Sequence, residues 1–311
     1  MTNSLYDQRD PRFRDLIHPN AQLKQLATGF EWTEGPVWFP AAQMLVFSDI
    51  PAHRMIRWTA ETGCSIFRED SGYSNGNTRD PQGRMVTCQH GARRVIRTEA
   101  DGSQTVLASH HDGKRLNSPN DVVVKSDGSI WFTDPTYGIL SDLEGYRAQP
   151  EQAGSYVYRV PPEGGEPKAV ITSFTQPNGL CFSPDERLLY VAESGSSHDN
   201  QVPSVIRVFD LSAEGAIIGP SRDFAMIDAG LPDGIRCDGQ GNLWSSAADG
   251  IHVFAPDGTL LGKLRIPEVV SNLCFGGERG NRLFITGTTS LYMLAVNACA
   301  AGWPRERAAR P

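Results

Sequence analysis

Apolar residues along most of this chain fall in short runs rich in Val, Ile, Leu, Phe and Trp, broken by Asp-Gly, Pro-Asp or Gly-Gly steps. Runs of that length bounded by residues that tolerate positive φ read as strands joined by tight turns. One version of the pattern recurs six times: a polar residue, usually a Gly, an apolar run, a turn and a second apolar run. The copies open at Glu34, Asn75, Asn120, Asn178, Asp233 and Ser271. They read EGPVWFPAAQMLVFS, NGNTRDPQGRMVTC, NDVVVKSDGSIWFTD, NGLCFSPDERLLYVAE, DGIRCDGQGNLWSSA and SNLCFGGERGNRLFIT. From each opener to the start of the second run (Leu45, Met85, Ile130, Leu189, Leu243, Leu283) takes about ten to twelve residues, a hairpin-sized interval.

The copies begin about 38 to 58 residues apart, and the intervals hold further strand-like segments such as SYVYRVPPEGGEPKAV, SVIRVFDLSAEG and GIHVFAPDGTLLGKL. Six repeats of four strands predict an all-β fold, a six-bladed β-propeller. No helical-period segment of convincing length interrupts the pattern, which argues against a βαβ sheet. A closed ring must join its ends, and the segment QLKQLATGF is the natural partner for the last blade. The expected organisation is an N-terminal extension over 1–21, the propeller over 22–297 and a tail over 298–311, both ends outside the core. Longer inserts follow the third and fourth copies, at PTYGILSDLEGYRAQPEQAG and SGSSHDNQVPS, and are expected as binding loops over one face.

Composition agrees: 31 Gly and 21 Pro suit a turn-rich chain. A net charge of -7 argues against a nucleic-acid partner, because phosphate binding needs clustered Lys and Arg. No apolar stretch is long enough to span a bilayer, and the opening MTNSLYDQRDPRFRDLIHPN lacks a signal-peptide core. The expectation is a cytoplasmic protein with no membrane partner. Oligomeric state is not legible. Six cysteines form no C-x-x-C pair, and Cys181, Cys237 and Cys274 fall inside strand patterns as small buried hydrophobes.

If the repeats are equivalent blades, their openers converge where the innermost strands meet the central channel. That set carries two carboxylates, three amides and a hydroxyl, with no thiol or imidazole, which suits a hard cation, Ca²⁺ first or another divalent ion. A hydrated pore lined by polar residues is the alternative, but Glu34 and Asp233 facing one narrow channel would repel unless a cation lay between them. The run Gly72-Tyr73-Ser74-Asn75-Gly76 matches a nucleophile elbow, yet a hairpin pattern follows where that motif needs a helix. His110 and His111 show no ligand spacing and read as solvated.

The segments TEGPVW, LNSPNDVVVKSDGSIWFTDPTYG, PNGLCFSPDERLLYVAES and LPDGIRCDGQGNLW, in that order and spacing, resemble the gluconolactonase, regucalcin and senescence-marker-protein superfamily over roughly residues 22 to 296. The resemblance implies a metal held by Glu34, Asn178 and Asp233, with Asn120 as a further ligand or substrate contact, and a sugar lactone as substrate. Animal members carry an Arg where this chain has Ser118, so that sugar contact does not transfer.

For lactone hydrolysis Asp233 is the candidate ligand and general base. Asn75 is expected to line the pocket, Tyr137 to cover the substrate, and Asp121 to support the ligands from behind. His90 is a weaker candidate for the channel mouth. Rival readings are hydrolysis of other lactones or organophosphate esters at the same site, or a propeller that binds a ligand without catalysis.

Overall fold

The computed structural model describes residues 5–302 and consists almost wholly of antiparallel strands arranged as six four-stranded blades. The innermost strands are Thr33–Phe39, Ser74–Arg79, Val122–Val124, Pro177–Phe182, Ile235–Cys237 and Val270–Gly276. Each pairs with the strand that follows it, and these second strands begin within one residue of the positions expected from the repeat. The six openers therefore sit at the same level of six neighbouring inner strands. Buried apolar side chains separate, among the described residues, into six clusters, one at each boundary between neighbouring blades. Each blade is thus glued to the next by its own dry layer, in which Trp131, Trp244 and Phe47 are fully enclosed.

The ring closes as the sequence suggests. Lys24–Thr28 forms the outer strand of the sixth blade, with Lys24 opposite Met293 and Thr28 opposite Ser290. The first residues differ from expectation, because they do not stand apart from the core. Tyr6–Gln8 adds a fifth strand to the fifth blade against Leu264, Lys263 and Gly262. The helical turn Phe13–Leu16 then inserts Phe13, at 0% exposure, and Leu16 into the layer between the fifth and sixth blades. Gly262 makes room, since a Cβ there would fall 2.6 Å from the Phe13 ring. At the other end Ala298 is buried and Ala300 bridges Asp238, so the tail also begins inside the fold. Residues 303–311 of that tail lie outside the described residues.

Pairing is irregular at the openers. Register shifts fall between Glu34 and Val37, Ser74 and Asn77, Pro177 and Leu180, and Val270 and Asn272. Extra residues at such bulges bend the strand and re-aim its side chains. Gly after the opener has a packing reason. Gly35 has φ +52, and a Cβ on it would overlap the Asn75 carbonyl oxygen; one on Gly179 would overlap that of Asp233. The inner backbones approach more closely than any side chain permits.

Cys88, Cys181, Cys237 and Cys274 are buried, and all six cysteines are free. Among the described residues no helix is long and apolar enough to cross a membrane.

Candidate functional site

Glu34 and Asp233 lie close enough that the Glu34 charge raises the proton affinity of Asp233. Burial pushes the Glu34 carboxyl up to about 8, and nearby Asp121 adds to the shift. Asp233 is raised well above the ordinary carboxylate range, by burial first and then by the charges of Glu34, Asp121 and Glu144. Glu34 accepts hydrogen bonds at Oε2 from Asn272 Nδ2 at 2.9 Å and from the Gly35 N–H at 2.6 Å. Asp233 takes a hydrogen bond from the Asn178 side chain. Like-charged buried carboxylates are stable only if one holds a proton or a cation intervenes.

Two buried amide oxygens are left uncommitted. Among the described residues, Asn178 Oδ1 and Asn75 Oδ1 have no hydrogen-bond partner, although both residues are about 95% buried. An acceptor buried without a donor costs about 1–3 kcal/mol. The Asn120 side chain, equally buried, makes no hydrogen bond either. Two carboxylates and uncommitted amide oxygens, with no sulfur, match the oxygen ligands of a hard divalent cation. The donor set fits Ca²⁺.

The orientation of Asn75 is set from behind. His90 Nδ1 lies 3.1 Å from the Glu144 carbonyl oxygen, so that nitrogen carries the proton. Nε2 is then the acceptor for Asn75 Nδ2 at 3.1 Å, which leaves Asn75 Oδ1 facing elsewhere. Burial depresses the His90 imidazole to about 4 and keeps it neutral.

Both inserts cover this face. Tyr137 opens a helical turn, Tyr137–Leu140, and its hydroxyl meets the Ser194 carbonyl at 3.2 Å and Ser197 Oγ at 2.9 Å. The first insert is thereby tied to the second beside Asp233, whose charge raises the Tyr137 hydroxyl's proton affinity further after burial. Ser118, in place of the Arg of animal relatives, holds the base of the same insert. Its Oγ donates to the Pro135 carbonyl at 2.7 Å and accepts from the Gly138 N–H at 3.0 Å.

Other expected residues are accounted for differently. Ser271 does not offer its hydroxyl to the channel, because it donates to the Thr33 carbonyl and sits beside Thr286. Asp121 pairs with Arg236 at 3.2 Å and accepts a hydrogen bond from the Val122 N–H at 2.9 Å. Ser74 is fully buried on a strand, with its Oγ 3.0 Å from Ser48 Oγ and no imidazole on it. His110 is exposed, whereas His111 packs on Tyr158 and meets the Pro167 carbonyl.

Sequence reasoning missed Glu144, Arg236 and Asn272. Asn272 carried a signal: it and Asp121 replace the usual Gly after the opener, and they fill the space that Gly234 and Gly76 leave open. Glu144 lies in an insert with no repeat to place it.

Two other groups could also offer several ligand atoms. Asp228, Asp249 and His252 are already neutralised by Lys263 and Arg265, and His111, Asp112 and Glu166 lie largely exposed.

Residues 32–289 match the SMP-30/Gluconolactonase/LRE-like region. The gluconolactonase of Zymomonas mobilis is 35% identical, covering 89% of this chain and 82% of its own length. The structure of a gluconolactonase from Xanthomonas campestris superposes with a TM-score of 0.86 at 39% identity, over 94% of both chains. A calcium-binding regucalcin from Agrobacterium tumefaciens shares the fold, with a TM-score of 0.73 at 17% identity over 89% of this chain and 94% of that one.

Proposed function

This chain belongs to the SMP-30/gluconolactonase/LRE-like family, and we propose that it hydrolyses a sugar lactone of the glucono-1,5-lactone type to the aldonic acid with the help of a divalent cation, Ca²⁺ first. The observation that carries the reading is the meeting of Glu34 and Asp233 with the unpartnered oxygens of Asn75 and Asn178 at a covered channel mouth.

Opening a lactone needs a polarised carbonyl, an attacking water and a proton for the departing ring oxygen. The cation, when bound, supplies the polarisation and lowers the pKa of a water. Glu34, Asn178 and Asp233 would hold it, with Asn120 as a fourth ligand or as a substrate contact. Asp233, whose proton affinity is raised by burial and by its neighbouring carboxylates, accepts the proton of the attacking water and returns it to the ring oxygen as the acyl C–O bond breaks, which leaves the carboxylic acid and a free hydroxyl. Glu34 balances charge. Asn75 orients the sugar through its free Oδ1, and Asn120 through its uncommitted amide. Tyr137 lends the face of its ring, because its hydroxyl is spent on the second insert.

The test is a pH-stat assay of purified protein on a panel of aldonolactones, before metal removal, after it, and after Ca²⁺ is restored. Turnover that disappears with the metal and returns with it is expected. A metal-loaded, folded protein that opens none of the panel would sink the hydrolase reading in favour of ligand binding alone.

A further inference from the structure

The inner strands that carry the candidate site at one end line a second cavity at the other. Arg79 lies four residues along its strand from Asn75, Arg236 three from Asp233 and Cys274 three from Ser271. At the rise of a strand this is roughly 10–13 Å away. The cavity holds about 250 Å³ and is walled by Trp38, Thr78, Arg79, Phe182, Arg236 and Cys274. That far exceeds the ~15 Å³ one water requires.

Its charge is out of character for an acidic protein. The half-buried Arg79 guanidinium makes no hydrogen bond or ion pair among the described residues, although burial already disfavours its charge. Arg236 commits Nη1 to Asp121 and to the Ile235 carbonyl, which leaves Nε and Nη2 uncommitted. Arg79 and Arg236 line the same cavity as Cys274, and both charges are felt by its thiol. Asp121, beside Asn120, meets Arg236 at 3.2 Å and balances its charge, so Arg79 supplies the uncompensated charge of the cavity and Arg236 its further N–H donors. Two forks of N–H donors in one cavity, with Trp38 and Phe182 also in its wall, match a small oxyanion, whose paired oxygens such forks grip in bidentate fashion.

We propose that this cavity binds a small oxyanion, an organic carboxylate or inorganic phosphate, at a site separate from the channel mouth. The inference stands on the cavity and its two arginines and does not depend on the hydrolytic reading.

The experiment measures binding of sodium gluconate, acetate and phosphate to the full-length protein by calorimetry, at an ionic strength matched with sodium chloride. The protein is first stripped on a chelating resin, so that neither bound metal nor a soluble chelator competes. Saturable binding is expected, weakened about tenfold or more in Arg79→Met, as loss of a charge-assisted contact implies. Arg79→Lys, which keeps the charge and loses the fork, should fall between the two. Equal affinity for phosphate and gluconate would assign a general oxyanion site, and tighter gluconate a carboxylate site. Heat no larger than that of chloride alone, or wild-type affinity in folded Arg79→Met and Arg79→Lys, would overturn the proposal.

Discussion

Asn75 donates its side-chain N–H to His90 Nε2 at 3.1 Å, and that bond alone decides which end of the amide is left for the channel. With His90 exchanged for a residue of no acceptor, the amide is free to turn its nitrogen toward a cation or a substrate hydroxyl that needs an acceptor, where a mismatch follows. His90→Leu should therefore raise KM or the metal requirement several-fold while kcat falls less, and His90→Gln, which can still accept, should restore much of the loss. Equal kinetics in wild type and His90→Leu would remove the positioning role. The imidazole also carries a stability signature. Its folded value, about 4, lies below the ordinary 6.5, so the unfolded chain binds more protons between those values. Stability contributed by neutral His90 is complete above about 6.5 and is lost as pH falls toward 4. Thermal unfolding of His90→Gln should show a shallower decline across that window than wild type.

Glu34 gives the opposite sign. Raised from 4.5 to about 8, it holds a proton in the metal-free folded protein that the unfolded chain releases earlier. Metal-free protein should lose stability as pH rises through that interval, and a divalent ion should cancel the loss. Because a ligand carboxyl must shed its proton to bind, and Glu34 and Asp233 both have raised proton affinities, Ca²⁺ uptake near pH 7 should release about one to two protons per ion. Calorimetry in two buffers of different ionisation enthalpy measures this directly. Uptake with no proton release would show that Glu34 is already ionised.

Phe13 tests the packing of the first segment. Its ring fills the notch above Gly262 at full burial, and truncating a buried Phe costs about 3–5 kcal/mol. Phe13→Ala should lower the denaturation midpoint markedly and leave lactone turnover at low temperature nearly intact. Unchanged stability would mean that the segment rides on the propeller without supporting it.

What the sequence revealed followed from repetition. Six openers in equal register gave the blade number, and the strand-like QLKQLATGF found its place because the last repeat lacked one strand. Nothing repeats in the first segment, so its placement rested on Phe13, Leu16 and Ile17 alone, one helical turn of apolar residues in a polar stretch. At the site, the repeat placed Glu34, Asn75, Asn120, Asn178 and Asp233 at matching positions of neighbouring inner strands. Ser271 was misread because periodicity assigns a level but not a rotamer, and its hydroxyl is captured by the neighbouring blade at Thr33. Glu144 and Arg236 act through contacts between distant segments, which no local pattern encodes.

Ser74 separates a metal mechanism from a serine one. Its Oγ is fully buried against Ser48 on a strand, with no base to activate it. Ser74→Ala should keep at least about a tenth of the activity, whereas loss of a true nucleophile removes several powers of ten. Collapse of turnover in folded, metal-loaded Ser74→Ala would replace the mechanism proposed above.

Asp233 and Asn178 divide binding from chemistry. Asp233→Asn keeps a coordinating oxygen of similar size and relieves the repulsion with Glu34, so the ion should still be held, but the group that accepts the water's proton is gone. Turnover should collapse by a hundredfold or more, on the order expected for a general base, and extra Ca²⁺ should not rescue it. Asn178→Ala removes a neutral oxygen and leaves the base in place. Its activity should fall at low Ca²⁺ and climb back as the ion is raised, because turnover then follows occupancy. Both variants are assayed on the same lactone across one Ca²⁺ titration, with folding checked by circular dichroism. Near-normal turnover of Asp233→Asn at saturating metal would move the base to another group, and Glu144, the neighbouring half-buried carboxylate, would be next to test.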